Sequence, residues 1–400
     1  MNRSPEDQPL YDVTLFGATG FVGRLTAEYL VAHAPPGCRV ALAGRSRAKL
    51  ERLRQQLAVR YPDRAAGLAL VAADAADPAA MRGLAESTRV LASTVGPYAW
   101  YGEELVAACA AAGTDYTDLT GEPEFVDRMF VRYGALAART GARIVHSCGF
   151  DSLPHDLGAY FTVQQLPEGV PLTVDGFVRT KAMFSGGTLA SALAAIGRQS
   201  QTLAAARERR RHEHPPVGRT VRTPLGVPRL SRETAAWALP LPTIDPQVVG
   251  RSAAALERYG PDFRYRHYAS VQTLPMALAA PAGLGALVLA AQLPAVRSWL
   301  TSRYAPGDGP DEERRARSWF RVRFVGAGGG RQVFTEVSGG DPGYGETAKM
   351  LAEASLCLAL DELPKTSGQV TPAVAMGDAL IDRLGAAGIR FRVSRVRRSG

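Results

Sequence analysis

The sequence has few cysteines, few lysines and few aromatic residues. Its four cysteines form no CxxC pair and have no histidine at metal-ligand spacing, which argues against a structural zinc site; they are Cys38, Cys109, Cys148 and Cys357. The polar start Met1–Gln8 holds no apolar signal region, so we expect a cytoplasmic, reducing setting with free thiols. With 400 residues, of which 46% are hydrophobic and 21% charged, the chain is predicted to fold into about two domains.

Lysine is so rare that the net charge of +9 rests almost entirely on arginine. The arginine fork binds phosphates and carboxylates, so the excess suits a phosphorylated cofactor, an anionic lipid or nucleic acid. It is also compatible with a genome of high GC content that replaces lysine by arginine. Because the pattern of basic and aromatic residues typical of nucleic-acid modules is missing, we expect no nucleic-acid partner.

The first 150 residues alternate short apolar strands with helices. We predict strands at 13–16, 40–43, 68–72, 90–93 and 143–146, with helices near 46–58 and 103–112. Strands and helices that alternate at this spacing are typical of a parallel, doubly wound sheet. The sequence therefore predicts an α/β protein in which residues 1–150 form a nucleotide-binding domain.

The pattern changes after Asp151. We predict a strand at 174–179, a helix at 188–198, a loop at 207–232 and a hairpin of 319–325 with 332–337. On the first hairpin strand Phe320, Val322 and Phe324 alternate with Trp319, Arg321 and Arg323, so one face is apolar and the other partly basic. These elements indicate a second, mixed α/β domain over residues 151–344. Residues 345–400, with helices at 345–360 and 373–384 and a strand at 390–393, are expected to pack at least partly on the first domain.

A glycine turn follows the first predicted strand and opens the first helix. Glycine lets the chain turn tightly and lets backbone N–H groups approach a pyrophosphate, while the helix N-terminus supplies positive potential. We therefore predict a dinucleotide site that consists of Gly17, Thr19, Gly20, Phe21, Val22 and Gly23.

The end of the second strand indicates which dinucleotide binds. Sites that prefer NAD place an acid there, whereas this chain has Arg45, Ser46 and Arg47, which favour a 2′-phosphate. We expect NADP(H), with Arg45 as the main contact and the other two assisting. The alternative, solvated arginines at a helix start, is disfavoured because their charge opposes the helix dipole.

Further cofactor contacts are expected where the next strands end. Asp74 is predicted beside the adenine half, with capping of the helix that begins near Pro78 as the alternative. The predicted contacts beneath the nicotinamide half are Ser93, Thr94, Val95, Gly96 and Pro97.

Several motifs, in this order along the chain, resemble those of the saccharopine dehydrogenase-like oxidoreductases: Thr14–Gly23, Ala43–Arg45, Val95–Tyr98, Tyr116–Glu122, and Cys148–Pro154 with Asp156. The likeness covers nearly the whole chain and is greatest to the actinobacterial trans-acting enoyl reductases. It implies a Rossmann domain joined to a saccharopine-reductase-like α/β domain with a mixed sheet. For that branch it implies reduction of an enoyl double bond, in trans, on a polyketide or lipid chain made by a synthase that lacks its own enoyl reductase.

Reduction of an enoyl thioester needs a donor to the carbonyl oxygen and a proton for the α-carbon. The candidate catalytic residues are Tyr98, Tyr101, Asp151 and His155. Tyr98 follows a rigid Gly-Pro turn and is the candidate donor, with stacking on the nicotinamide or packing between domains as alternatives. His155 is a candidate acid oriented by Asp151, with helix capping by Asp151 as the alternative. The residue four positions after Tyr101 is Leu105 rather than lysine, so the Tyr-xxx-Lys pair of short-chain dehydrogenases is missing.

Residues 268–296 carry no charge but are interrupted by proline and glycine. The stretch could form a membrane span, a buried helical hairpin, or a lipid-facing surface that suits a long acyl substrate. We therefore expect an acyl or polyketide-type substrate, with a carrier protein or synthase, the inner face of a membrane and a homodimer as further possible partners. We expect no metal and no reactive role for Cys148.

Two other functions remain open at this stage. One is an imine reductase whose cationic pocket is built from Arg179, Lys181, Arg321 and Arg323. The other is an NADP-binding protein without turnover, because a glycine turn positions a cofactor without specifying a reaction.

Overall fold

The first sheet consists of seven parallel strands. The computed structural model describes residues 9–182, 198–279 and 311–398. The strands of this sheet are β1 (Tyr11–Phe16), β2 (Val40–Gly44), β3 (Ala69–Ala72), β4 (Thr88–Ser93), β5 (Asp115–Asp118), β6 (Arg143–Val145) and β14 (Gly368–Val370). Their order is β14-β6-β5-β4-β1-β2-β3, and every pairing is parallel. The order reverses at β1, so the carboxyl ends of β1 and β4 border the crevice in which such sheets bind ligands.

Helices cover both faces of this sheet because each presents an apolar stripe to it. On α2, for example, Leu50, Leu53 and Leu57 recur at helical spacing and are all buried. The helices of this domain are α1 (Phe21–His33), α2 (Arg47–Arg60), α3 (Pro62–Ala65), α4 (Pro78–Glu86), α5 (Tyr98–Tyr101), α6 (Glu103–Ala112) and α7 (Pro123–Thr140). The next helix, α8 (Leu153–Gln164), packs on the second sheet. Gly113 and Gly141 end α6 and α7 in the left-handed conformation that glycine adopts without strain.

The second sheet is mixed. Its strands are β7 (Leu172–Lys181), β8 (Thr220–Arg222), β9 (Arg229–Ser231), β10 (Ala236–Pro240), β11 (Asp262–Val271), β12 (Trp319–Gly328), β13 (Arg331–Gly339) and β15 (Arg390–Arg398). The order is β15-β13-β12-β7-β11-β10-β9, with β8 beside β11, and β11 runs parallel to both β7 and β8. As predicted, Phe320, Val322 and Phe324 form the buried face of β12. This face packs on α8, where a Cβ at Gly158 would lie 2.3 Å from the Phe324 ring.

The remaining helices among the described residues follow β7 in the chain. They are α9 (Gln199–His212), α10 (Asp245–Ala255), α11 (Glu312–Ala316), α12 (Gly345–Leu360), α13 (Pro372–Ala375) and α14 (Gly377–Ala386), with a 3₁₀ turn at Glu257–Tyr259. Helix α12 is almost completely buried against α1, β4 and β5, and its Ser355 hydroxyl lies 2.9 Å from that of Thr117. The C-terminal segment thus packs on the first sheet and contributes a strand to each sheet.

Some predicted elements differ from those observed. Residues 207–212 belong to α9 rather than to a loop, because Arg209 is buried over the Phe130 ring, 4.0 Å from its centre, and pairs with Glu213 at 2.8 Å. The helix predicted over 373–384 is divided at Gly377, which has a φ of +47°. The helix predicted over 188–198 lies, except for its last residue, outside the described residues.

No helix among the described residues is long and apolar enough to cross a bilayer. Most of the apolar stretch 268–296 lies outside those residues. Its first part ends β11 and continues into a short helical segment, on which Leu274, Met276 and Leu278 are exposed.

Candidate active site

The glycine turn joins β1 to α1 at the switch point of the first sheet. Gly17 has a φ of +87°, and a Cβ there would lie 2.7 Å from the Thr94 hydroxyl. A Cβ on Gly23 would lie 2.1 Å from the Gly17 carbonyl oxygen, so only glycine lets the helix approach the turn this closely. No side chain caps α1, and its first turn has no acid. The positive helix end is therefore free for a pyrophosphate.

Three polar residues follow β2, and they have different surroundings. Arg45 is exposed and makes no hydrogen bond or ion pair with the described residues. Ser46 caps α2 by accepting a hydrogen bond from the Lys49 N–H at 3.3 Å. Arg47 donates to the Leu70 carbonyl at 2.8 Å and pairs with Glu51 at 3.1 Å. Arg45 is thus the guanidinium that is best placed to bind a 2′-phosphate, while the other two also serve the fold.

A buried cluster of one carboxylate and two imidazoles lies on the second sheet, between α8, α10 and β11. His155 is in the first turn of α8, which follows β6, whereas Asp245 begins α10 and His267 lies on β11. Nδ1 of His155 is 3.0 Å from Oδ1 of Asp245, and Nε2 of His267 is 3.5 Å from Oδ2 of the same carboxylate. Nδ1 of His267 is 2.9 Å from the Tyr265 hydroxyl. One carboxylate therefore lies between two imidazoles, and all three residues are buried.

The environment separates the protonation states in this cluster. Burial alone would raise the pKa of Asp245, but His155, His267 and the Thr243 hydroxyl hold that pKa well below its ordinary range. Burial lowers the pKa of His267 to about 4, against the attraction of Asp245. Burial and the Asp245 charge raise the pKa of Asp151 to about 6. Near neutral pH, Asp245 is charged and His267 is neutral.

Comparison with known proteins decides the family. The NADP-binding domain of saccharopine dehydrogenase matches residues 13–145. A trans-acting enoyl reductase of Mycobacterium bovis is 35% identical over 429 residues, and the match covers 96% of this chain and 98% of the relative. A Mycobacterium tuberculosis protein provisionally given the same name is 38% identical over 426 residues, with 99% of this chain and 100% of the relative covered.

The chain belongs to the saccharopine dehydrogenase-like oxidoreductases, in the trans-acting enoyl reductase branch. It is an NADP-dependent oxidoreductase, as the sequence predicted. Saccharopine dehydrogenase (L-Glu forming) of Saccharomyces cerevisiae shares its fold, with a TM-score of 0.55 and 13% identity over 96% of this chain and 99% of that one. The predicted Rossmann domain and mixed second sheet are confirmed.

The loop after β4 is tied to the glycine turn of the oxidoreductase. The Thr94 hydroxyl lies 3.1 Å from the Gly17 carbonyl oxygen, and the buried Ser93 hydroxyl accepts a hydrogen bond from the Val95 N–H at 3.4 Å. Asp74 is exposed and accepts from the Ala76 N–H at 3.0 Å. The alternative in which Asp74 caps α4 is wrong, because Asp77 is the cap.

The two candidate tyrosines have different surroundings. The buried Tyr98 hydroxyl donates to the Ser93 carbonyl at 3.0 Å and accepts from the Leu119 N–H at 3.1 Å. Burial also raises the Tyr98 pKa well above its usual value. Tyr98 also packs close to Phe125 within the first domain. Because its hydroxyl is already bonded to these two backbone groups, Tyr98 could donate to a substrate only if its bond to the Ser93 carbonyl were broken. Tyr101 is 51% exposed and lies outside the buried cluster.

Asp245 and His267 were missed in the sequence analysis. Their oxygen and nitrogen atoms, together with a nitrogen of His155, lie within 4.8 Å of one another and form a donor set that a divalent metal also uses. A signal was available, because the chain has only six histidines and His267 occupies an inward-facing position on a strand with alternating burial. Nothing local in the sequence, however, indicated that Asp245 lies beside His155.

Proposed function

We propose that this oxidoreductase reduces the carbon–carbon double bond of an α,β-unsaturated acyl thioester, in trans, on a chain made by a separate synthase. The names of the two full-length mycobacterial relatives support this reaction class. NADPH, when bound, supplies the hydride for the β-carbon, and a proton must then reach the α-carbon. The protein has to bind the dinucleotide, orient the acyl group and deliver that proton.

In this proposal the first domain binds the dinucleotide through backbone and arginine contacts. The uncapped N-terminus of α1 and the glycine turn hold the pyrophosphate, and Arg45 holds the 2′-phosphate. The predicted contacts Ser93, Thr94, Val95, Gly96 and Pro97 lie beneath the nicotinamide half. The bond from Thr94 to the glycine turn keeps this loop close to the cofactor site.

The observation that carries the proposal is the buried His155–Asp245 pair, which follows the carboxyl end of β6. Oδ1 of Asp245 lies 3.0 Å from Nδ1 of His155, at ion-pair distance but outside hydrogen-bond geometry, and Nε2 has no hydrogen-bond partner among the described residues. His155 is therefore proposed as the acid that protonates the α-carbon from Nε2, with Asp245 stabilising the imidazolium. Asp151, whose pKa is raised to about 6, is proposed to return a proton to the pair from solvent.

The alternative imine reductase receives less support. Arg321 and Arg323 lie on the face of β12 opposite the buried phenylalanines, and both pair with Glu336, at 3.2 and 3.0 Å. Arg179 and Lys181 stand directly opposite Arg321 and Trp319 in the register and therefore share that outer face. These four cations do not converge on His155, which is on the helix that packs against the inner face.

The test combines cofactor binding with turnover. We expect the protein to bind NADPH more tightly than NADH and to oxidise NADPH only when an enoyl thioester such as crotonyl-CoA or a longer homologue is added. His155→Gln should lower turnover by about 10²–10⁴-fold and leave NADPH affinity unchanged. His212→Gln, at an exposed position on α9, is the matched control and should retain full turnover.

Three results would contradict parts of this proposal. Full turnover in His155→Gln would show that His155 is not the proton donor. Binding of NADPH without oxidation by any enoyl thioester would favour the imine or the non-catalytic alternative. Failure to bind NADPH at all would contradict the dinucleotide site itself.

A further inference from the structure

A cleft of about 230 Å³ lies apart from the His155 cluster, between α7, α9, α10 and the ends of β6 and β14. Its walls are largely aliphatic and aromatic, with side chains from Val126, Phe130, Val248, Ala254, Val370 and Val374. Neither His155, Asp245 nor His267 lines it. The cleft is therefore a candidate for a separate ligand site, and its walls indicate that most of the ligand is apolar.

The charged side chains of the cleft already have partners. Arg209 and Arg251 both bond to Asp127, and Arg209 also pairs with Glu213 at 2.8 Å and bonds to Gln369 at 2.6 Å. Because each guanidinium is neutralised within the protein, neither offers its charge to an anionic group. An uncharged ligand is the better match.

One buried polar atom in the cleft has no partner among the described residues. His146, which is 5% exposed, follows β6, and its Nδ1 lies 2.6 Å from Oδ2 of Asp118. The other oxygen of Asp118 accepts from the N–H groups of Ser147 and Thr120, each at 3.0 Å. A carboxylate surrounded by donors accepts only, so Nδ1 carries the hydrogen. In the neutral imidazole, Nε2 of His146 then presents a lone pair, and this atom has no partner among the described residues.

The backbone is strained beside this histidine. Ser147 has a φ of +61°, an uncommon conformation for a residue other than glycine. It is held there by its N–H bond to Asp118 and by its hydroxyl, which donates to the Thr120 carbonyl at 2.7 Å. Strain that the surroundings enforce in this way is typical of functional sites. Here it fixes the segment that holds the imidazole in the cleft.

We propose that this cleft binds an uncharged aliphatic ligand whose hydroxyl group donates a hydrogen bond to Nε2 of His146. The apolar walls cover the hydrocarbon chain, and the Asp118–His146 pair supplies the single polar contact. The site is separate from the proposed reductive centre. Its ligand is recognised without NADPH.

The test compares two small probes on the full-length protein without cofactor. 1-Octanol and 1-methoxyoctane share the same chain, but only the alcohol has an O–H donor. By calorimetry or ligand-observed NMR we expect the alcohol to bind about fivefold more tightly, the effect of one hydrogen bond. His146→Phe should abolish this difference while the ether still binds.

A second variant keeps the test decisive if His146→Phe does not fold. Val374→Trp, at a half-buried position in the cleft wall, should abolish binding of both probes while NADPH still binds. Val59→Trp, at a site that is 86% exposed on α2, is the matched control and should bind both normally. Equal affinity for the two probes in the unmodified protein, no binding of either, or unchanged binding in Val374→Trp would overturn the proposal.

Discussion

Gly23 lies so close to Gly17 that a Cβ on Gly23 would be 2.1 Å from the Gly17 carbonyl oxygen. The contact is between backbone atoms, which cannot rotate away as a flexible side chain would. Helix α1 can therefore approach the turn only with glycine at this position, and the positions of the N–H groups at the helix start depend on it.

Gly23→Ala should push α1 away from the turn and lower NADPH affinity by at least about tenfold, because hydrogen bonds to the charged pyrophosphate are lost. The matched control is Gly83→Ala in α4, where a Cβ would meet nothing within 4 Å. The control should keep its affinity and gain about 0.5–1 kcal/mol of stability. Fluorescence titration with NADPH and thermal unfolding measure both effects. Normal NADPH binding by Gly23→Ala would contradict the assignment of the turn.

Arg45→Glu should reverse the cofactor preference. The substitution replaces a guanidinium that has no partner among the described residues by an acid, which repels a 2′-phosphate and accepts from a ribose 2′-OH. We expect NADPH affinity to fall by about 10–100-fold and NADH affinity to hold or rise. Arg52→Glu, at an exposed site on α2, is the charge-matched control. An unchanged preference for NADPH over NADH in Arg45→Glu would show that Arg45 does not bind the 2′-phosphate.

Patterns of neighbouring residues in the sequence predicted those features that neighbouring residues form. The glycine turn lies next to its strand and helix, and the alternation on β12 identified the buried face before the sheet was known. His155 and Asp245, by contrast, come together only because α8 and α10 pack side by side. The bonds of the Tyr98 hydroxyl were not predicted for the same reason, since the Leu119 N–H from which it accepts comes from another strand end. Asp77 rather than Asp74 caps α4 because the helix begins one residue after it.

Asp156 should make stability depend on pH. It is fully buried between Ser252 and the Ala373 N–H, and burial raises its pKa from 3.8 to about 7 against these hydrogen bonds. Between these values the unfolded chain loses the proton and the folded one retains it, so the contribution of Asp156 to stability falls as pH rises from about 4 to about 7. Asp156→Asn cannot titrate, and its melting temperature relative to the unmodified protein should therefore rise over that interval.

The control for this experiment is Asp63→Asn, at an exposed position on α3. The difference between its melting temperature and that of the unmodified protein should be the same at every pH. His267 contributes with the opposite sign, because its pKa is lowered to about 4, but this contribution is common to all three proteins and cancels in the comparison. A constant difference between Asp156→Asn and the unmodified protein would mean that Asp156 is ionised throughout.

A metal added to the His155 cluster should inhibit the enzyme. Zinc would take the ring nitrogens and the Asp245 carboxylate as ligands, and His155 would then be unable to act as the proposed acid. We expect EDTA alone to leave turnover unchanged, micromolar zinc to inhibit it, and His267→Gln to weaken that inhibition. Loss of turnover in EDTA, with recovery on adding a divalent metal, would instead assign a metal to the catalytic centre.

Strands β14 and β15 come from the last part of the chain, yet one completes the parallel sheet and the other the mixed sheet. During synthesis, the parallel sheet lacks β14 and the mixed sheet lacks β15 until nearly the whole chain has been made. A fragment cut near residue 150 would expose the flank of β6 that β14 normally covers, and it would lack α12 from its core. The same C-terminal segment thus joins the two sheets, and we expect both sheets to unfold in a single thermal transition rather than in two successive ones.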